Sequence, residues 1–338
     1  MDCVLHIGLE KTGTKTLQAF LNANRERLAD HSLLFPASPG RRNHRLLALL
    51  AYADEVRDDI TAKAKVDSAV GLAKVRTQLL ADLQHEVQSR VCRTLLLSSE
   101  HFQSRLRDGK AIERFRQALM QLGCQRFRVI VYLRDPVEIA RSLHASSVAS
   151  GSTAAGPPAP DNPYFRNICD HRATLQRWSG VFGHAAVMPR LFDRAELVGG
   201  SIIDDFCDVM GFRTDKAWAR PTDQNQSISA HGLDLLRRLN KVFPRVENNR
   251  INPRRGDLAN FVRDNYPGAP YILSAEVADA YRQYFAQSNE WVRQNYFPER
   301  SALFAHQAVV DSRPDRISEA DLNAEAGRIA KQWMQRKP

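Results

Sequence analysis

Several absences limit what this chain of 338 residues is expected to be. It has only five cysteines (Cys3, Cys92, Cys124, Cys169 and Cys207), odd in number and with no short-range pairing. That excludes a disulfide framework and the paired spacing of a structural zinc site, and the thiols read as reduced core residues. No apolar run approaches the roughly 18 to 20 residues a membrane-spanning helix needs. The first residues, Met1 to Gly8, lack the basic segment and long apolar stretch of a secretory leader, so a cytoplasmic location is expected. No internal repeat is visible. No zinc-finger pattern or aromatic RNA-binding strand is present, so nucleic acid is not an expected partner.

What is present is ordinary globular material, 43% hydrophobic and 25% charged, with a net charge of +10. The length suffices for one large core or two modest ones. The excess of cations favours an anionic partner without choosing one. Short apolar runs at 3–8, 33–36, 94–98, 127–133 and 185–190 read as buried strands. Helical spacing covers 15–30, 44–57, 62–90, 108–122, 170–182, 196–210, 228–243 and 275–295. Pro136 suits the first turn of a further helix. Strands alternating with helices predict an α/β protein with a parallel sheet covered on both faces. The Ser/Gly/Pro-rich stretch 150–163 reads as a loop, either a lid or a plain connection. The last thirty residues read as a solvated helical tail.

The opening strand runs into Gly8-Leu9-Glu10-Lys11-Thr12-Gly13-Thr14-Lys15-Thr16 and then a helix. Small residues at such a turn let backbone N–H groups approach an anion, and the helix N-terminus adds its positive dipole end. Thr14 and Thr16 offer hydroxyls, and Lys11 and Lys15 offer charge. In the nucleotide-triphosphatase pattern G-x-x-x-x-G-K-[ST] the Lys follows the second Gly. Here Thr14 occupies that position, and the charge sits inside the loop at Lys11 and one place late at Lys15. A second block, Val129-Ile130-Val131-Tyr132-Leu133-Arg134-Asp135-Pro136, is followed by Ser142. An Arg at a strand end and a hydroxyl two turns into the next helix suit one phosphate, which the planar guanidinium binds in bidentate fashion. Asp135 as a metal-binding strand-end Asp is the rival reading, but Arg134 stands where that pattern expects an apolar residue.

The internal Lys of Lys11-Thr12-Gly13-Thr14, with the Arg134/Ser142 pair, resembles the sulfotransferases that use 3′-phosphoadenosine 5′-phosphosulfate (PAPS). Weaker likenesses are Ser98-Ser99-Glu100-His101-Phe102, Leu175-Gln176-Arg177-Trp178, Phe182-Gly183, Asp205-Phe206, Gly211 and Asn225-Gln226-Ser227. Together they span about residues 3–300. The resemblance implies a three-layer, P-loop nucleotide-kinase-like fold with additional helices in the C-terminal half. It implies a sulfotransferase domain over 1–308 and a helical tail over 309–338. It assigns Lys11, Thr12, Gly13, Thr14, Lys15 and Thr16 to the 5′-phosphosulfate, and Arg134 and Ser142 to the 3′-phosphate. Lys15 departs from the family's usual Thr or Ser. Arg254-Arg255-Gly256 is similar to the basic segment that completes the 3′-phosphate site. Lys11 is the expected stabiliser of the leaving phosphate, and Glu100 the expected base, with His101 and then His44 as alternatives. No metal is required. The expected acceptor is a small molecule, a glycan or a lipid-linked sugar, and the basic cluster Arg41-Arg42-Asn43-His44-Arg45 is a candidate contact for an anionic one. A P-loop kinase or triphosphatase is the competing function.

Overall fold

The computed structural model describes residues 1–221, 227–305 and 318–335. Asn225 and Gln226, and the tail residues 309–317 and 336–338, lie outside the described residues. Five parallel strands form one sheet, ordered β2-β3-β1-β4-β5, from β1 (Asp2–His6), β2 (Leu33–Leu34), β3 (Thr94–Ser98), β4 (Arg126–Leu133) and β5 (Val187–Leu191). β1 is central, with Cys3 opposite Leu95 on one side and Phe127 on the other. β6 (Val246–Glu247) and β7 (Arg250–Ile251) form a separate two-stranded antiparallel sheet.

The helices between β1 and β4 are α1 (Thr14–Ala23), α2 (Arg25–Asp30), α3 (Asp59–Lys63), α4 (Ala69–Gln88), α5 (Glu100–Arg105) and α6 (Gly109–Gln121). After β4 come α7 (Pro136–Ala149), α8 (Pro163–Cys169), α9 (His171–Phe182) and α10 (Ile202–Val209). The remainder is α11 (Ala230–Val242), α12 (Leu258–Asn265), α13 (Ala275–Tyr296) and α14 (Glu319–Gln335). No helix among the described residues is long and apolar enough to cross a membrane.

The chain divides into two compact units. The first comprises Met1–Arg134, Arg166–Thr222 and Gln287–Leu303. Alternation along its strands sends Val4, Leu96, Ile130 and Tyr132 to one face, where they join Leu17, Phe20 and Leu21 of α1 and Ile202, Ile203 and Phe206 of α10. α9 packs on β4 and β5 and also meets α6. Both faces are thus covered, which is why β3 is buried at every position.

The second unit comprises Asp135–Phe165, Asp223–Ala286 and Phe304–Pro338. Its core joins Leu233, Leu236 and Leu239 of α11 to Leu258 and Val262 of α12 and to Leu322, Ala326, Ile329, Ala330 and Trp333 of α14. The terminal helix is therefore not a solvated tail. Its three- and four-residue spacing lays one apolar stripe on α11, and the Trp333 indole donates to the Arg254 carbonyl at 2.9 Å.

Other sequence expectations shift for local reasons. The helix expected over 15–30 breaks at Asn24, whose side chain pairs with the backbone of Ala219 through two bonds of 2.8 and 2.9 Å. The one expected over 44–57 is a 3₁₀ segment at Arg45–Leu50, with Leu47 to Ala51 buried, not a helix with a wet face. α4 starts late, at Ser68, whose hydroxyl caps it. α10 is shorter than 196–210 because Gly199 and Gly200 take left-handed conformations ahead of it. Of the stretch 150–163, all but Pro163, the first residue of α8, is irregular, as expected, and the Pro158 carbonyl accepts a 2.7 Å bond from the Tyr281 hydroxyl.

Candidate active site

The loop after β1 turns through three left-handed residues: Gly8 (φ 69°), Lys11 (φ 67°) and Gly13 (φ 71°). Two of them are glycines, which adopt this conformation without steric cost. Gly13 is the N-cap of α1, and no side chain among the described residues caps that helix end. No acidic residue occupies the first turn either. The leading N–H groups of a ten-residue helix are thus left for an anion. Thr12 and Thr14 are buried, and both hydroxyls donate inward to the Leu9 carbonyl, at 2.8 and 3.2 Å. They brace the loop rather than project from it, as the sequence alone had suggested for Thr14. Thr16 is half-buried on α1 and Lys15 is exposed.

Lys11 is half-buried, and its pKa is pushed below the ordinary lysine value, chiefly by burial and then by the charge of Lys15. Glu10 opposes the shift, and Arg134 adds to it. Arg134 follows β4 directly. Its Nη1 donates to the Lys11 carbonyl at 2.6 Å, and its guanidinium lies 5.4 Å from the centre of the Phe192 ring. His171, fully buried, bonds the Arg134 carbonyl at 2.8 Å and has its pKa pushed down to about 4 by burial. Lys11, Lys15 and Arg134 are thus close enough to feel one another's charge at this helix end.

Glu100 opens α5 at the end of β3, beside this loop. A Cβ on Gly8 would lie 2.7 Å from the Glu100 Cα. Gly8→Ala is therefore expected to lower the unfolding free energy by about 2–4 kcal/mol, from left-handed strain plus overpacking. Denaturant titration checks this, and an unchanged midpoint would refute the close packing.

One oxygen of Glu100 is held firmly. Its Oε2 accepts from Asn43 Nδ2 at 2.8 Å and from Gln18 Nε2 at 3.2 Å. Asn43 is itself fixed by the Ser99 hydroxyl, which donates to its Oδ1 at 2.7 Å, and the Gln18 amide also reaches Ser98 Oγ at 3.3 Å. Both amides meet the same oxygen, and Oε1 has no hydrogen-bond partner among the described residues.

His101 follows on α5, half-buried, its pKa lowered mainly by burial. Its Nδ1 is enclosed without a hydrogen-bond partner among the described residues. His44 is fully buried, and both ring nitrogens are occupied: Nδ1 accepts from the Ser98 N–H at 3.1 Å, and Nε2 bonds the Pro36 carbonyl at 2.9 Å. Burial pushes its pKa down to about 3. His44 thus has no lone pair left to serve as a base. Of the basic cluster, Arg41 and Arg42 are exposed, while Asn43 and His44 are built into the wall.

In the second unit, Ser142 is half-buried in the middle of α7. Asp135 caps that helix, accepting from the Val137 N–H at 2.8 Å. The Arg255 guanidinium donates to the carbonyl of Ala149, the last residue of α7, at 2.7 Å. Ser142 lies seven positions earlier, about 10 Å along the axis at roughly 1.5 Å per residue. One nitrogen of Arg255, Nη2, is thereby taken at the far end of that helix from Ser142.

Sequence reading overlooked Gln18 and gave Asn43 no role beyond its cluster. A signal existed for Gln18, since a polar residue four positions after Thr14 falls on the buried face of an amphipathic helix.

No protein-family model and no curated protein matches this sequence. Among solved structures, the chain is similar to the crystal structure of a sulfotransferase from Alicyclobacillus acidocaldarius, with 15% sequence identity and a TM-score of 0.40, over 67% of this chain and 87% of that one.

Proposed function

We propose that this protein is a PAPS-dependent sulfotransferase that moves the sulfuryl group onto an acceptor hydroxyl or amine. The observation that carries this reading is the packing of Glu100 against Gly8, which fixes a carboxylate beside an uncapped, cation-rich phosphate loop. A loop with its lysine inside, at Lys11, suits a donor whose reacting group hangs from a 5′-phosphate.

In the proposed reaction the acceptor oxygen attacks sulfur in line. The bond between sulfur and the bridging oxygen of the 5′-phosphate breaks, and that oxygen leaves with the electron pair. Glu100 Oε1 takes the acceptor's proton, and Lys11 with the first amides of α1 stabilises the departing charge. Gln18 and Asn43 hold Glu100 in one orientation. The assignment of Arg134 and Ser142 to the 3′-phosphate rests on their motif and spacing. A carbohydrate or a lipid-linked sugar is the acceptor class we favour.

Calorimetric titration with 3′,5′-adenosine bisphosphate, AMP and ATP, with and without magnesium, tests the reading. The bisphosphate should bind best, independently of magnesium. Tight binding of ATP only with magnesium would favour a kinase or triphosphatase instead. Arg134→Ala should erase the preference for the bisphosphate over AMP, a loss of roughly 1.5–3 kcal/mol for a charged hydrogen-bond partner. Equal affinity of the unaltered protein for the two nucleotides would end the 3′-site assignment.

A further inference from the structure

The antiparallel pair β6–β7 in the second unit has no part in the proposed chemistry. Its tight turn places Asn248 (φ 50°) and Asn249 (φ 59°) in the left-handed region, the conformation of a two-residue hairpin loop. Val246 and Ile251 are paired across the hairpin and are 55% and 77% exposed. Val242, just before it, is 54% exposed. Two-residue strands hold no fold by themselves, and they gain nothing from displaying an apolar pair to water.

The surrounding charge is of one sign. Between Lys241 and Gly256 the chain carries five cations (Lys241, Arg245, Arg250, Arg254 and Arg255) against one carboxylate, Glu247. All but Arg255 of these cations are exposed. Behind the hairpin lies a cleft of about 430 Å³ lined by Ser150, Arg245, Ile251, Asn252, Arg255 and Gly256 among others. Arg255 is only 9% exposed, and its Nε is enclosed without a partner among the described residues. Arg245 is close enough to push the Arg255 pKa down further, after burial. Two arginines, Arg245 and Arg255, thus line one cleft, and paired guanidinium groups suit an oxyanion.

We infer that the β6–β7 hairpin docks this protein on an anionic phospholipid surface, with Val242, Val246 and Ile251 entering the headgroup layer and a headgroup phosphate entering the arginine cleft. The apolar rim is what selects a bilayer. A soluble oxyanion needs the cleft but not three exposed aliphatic side chains, and three side chains are too small an apolar area for a stable protein interface. Exposed cations beside a small apolar insertion match the two forces of peripheral binding, area burial and attraction to acidic lipid. The inference is independent of the sulfotransferase reading.

Co-sedimentation of the full chain with vesicles provides the test. It should pellet with vesicles of equal parts phosphatidylserine and phosphatidylcholine and stay in solution with phosphatidylcholine alone. Replacing Arg245, Arg250 and Arg254 together with Gln should lower partitioning about fivefold per charge, on the order of 100-fold in all. Val246→Ser with Ile251→Ser should lower it roughly tenfold on the same vesicles. These side chains are exposed, and an unchanged circular dichroism spectrum confirms that the variants fold. Absence of binding to the acidic vesicles, equal binding to neutral ones, or full binding by the triple variant would overturn the inference. So would thermal protection by inorganic phosphate through the same arginines without sedimentation, which would identify a soluble oxyanion as the ligand.

Discussion

Glu100→Gln is expected to reduce sulfuryl transfer by about 10²- to 10⁴-fold while leaving nucleotide affinity unchanged. The substitution keeps the size of the side chain and an oxygen that accepts from Asn43 Nδ2 and Gln18 Nε2, now 2.8 and 3.2 Å from the carboxylate. It replaces Oε1, which has no hydrogen-bond partner among the described residues, by an amide nitrogen that cannot take a proton. The loss should thus fall on kcat. Release of 3′,5′-adenosine bisphosphate from PAPS in the presence of a carbohydrate acceptor mixture measures turnover, and calorimetry measures affinity. His101→Ala should have a smaller effect, because its Nδ1 is walled in. Near-normal turnover of Glu100→Gln together with a dead His101→Ala would transfer the role to His101.

Lys11→Ala is expected to cut turnover about 10²- to 10³-fold, the range for removing one preorganised donor to a developing anion. Affinity for the product bisphosphate should fall by less than about tenfold. The asymmetry follows from the surroundings of the ammonium. Burial, Lys15 and Arg134 all depress its pKa, so its charge is costly until negative charge arrives, which in the proposed reaction is greatest at the departing 5′-phosphate. Stabilisation that grows along the reaction appears in kcat rather than in binding. Turnover and bisphosphate affinity falling in parallel would instead show that Lys11 only binds.

The α/β class, the strand–loop–helix opening and the position of Arg134 at a strand end were legible because each is written in neighbouring residues. Buried parallel strands read as unbroken apolar runs, as in Thr94 to Ser98, and glycines at 8 and 13 mark where the backbone must turn left-handed. The terminal helix shows where such reading fails. Its stripe of Leu322, Ala326, Ile329 and Trp333 is an ordinary amphipathic pattern, and nothing local says that α11 will cover it. The same holds for the wall around Glu100. Gln18 and Asn43 lie 82 and 57 positions away along the chain, and neither carries a local signature of contact with a carboxylate. The basic cluster divides in the same manner, into exposed arginines and a histidine whose two nitrogens are used by Pro36 and Ser98. Propensity, periodicity and turn chemistry act over a few residues and so can be read in order along the chain. Which polar groups meet inside the protein is decided only when the sheet and its helices pack, because a buried donor must find its acceptor wherever the fold has brought one.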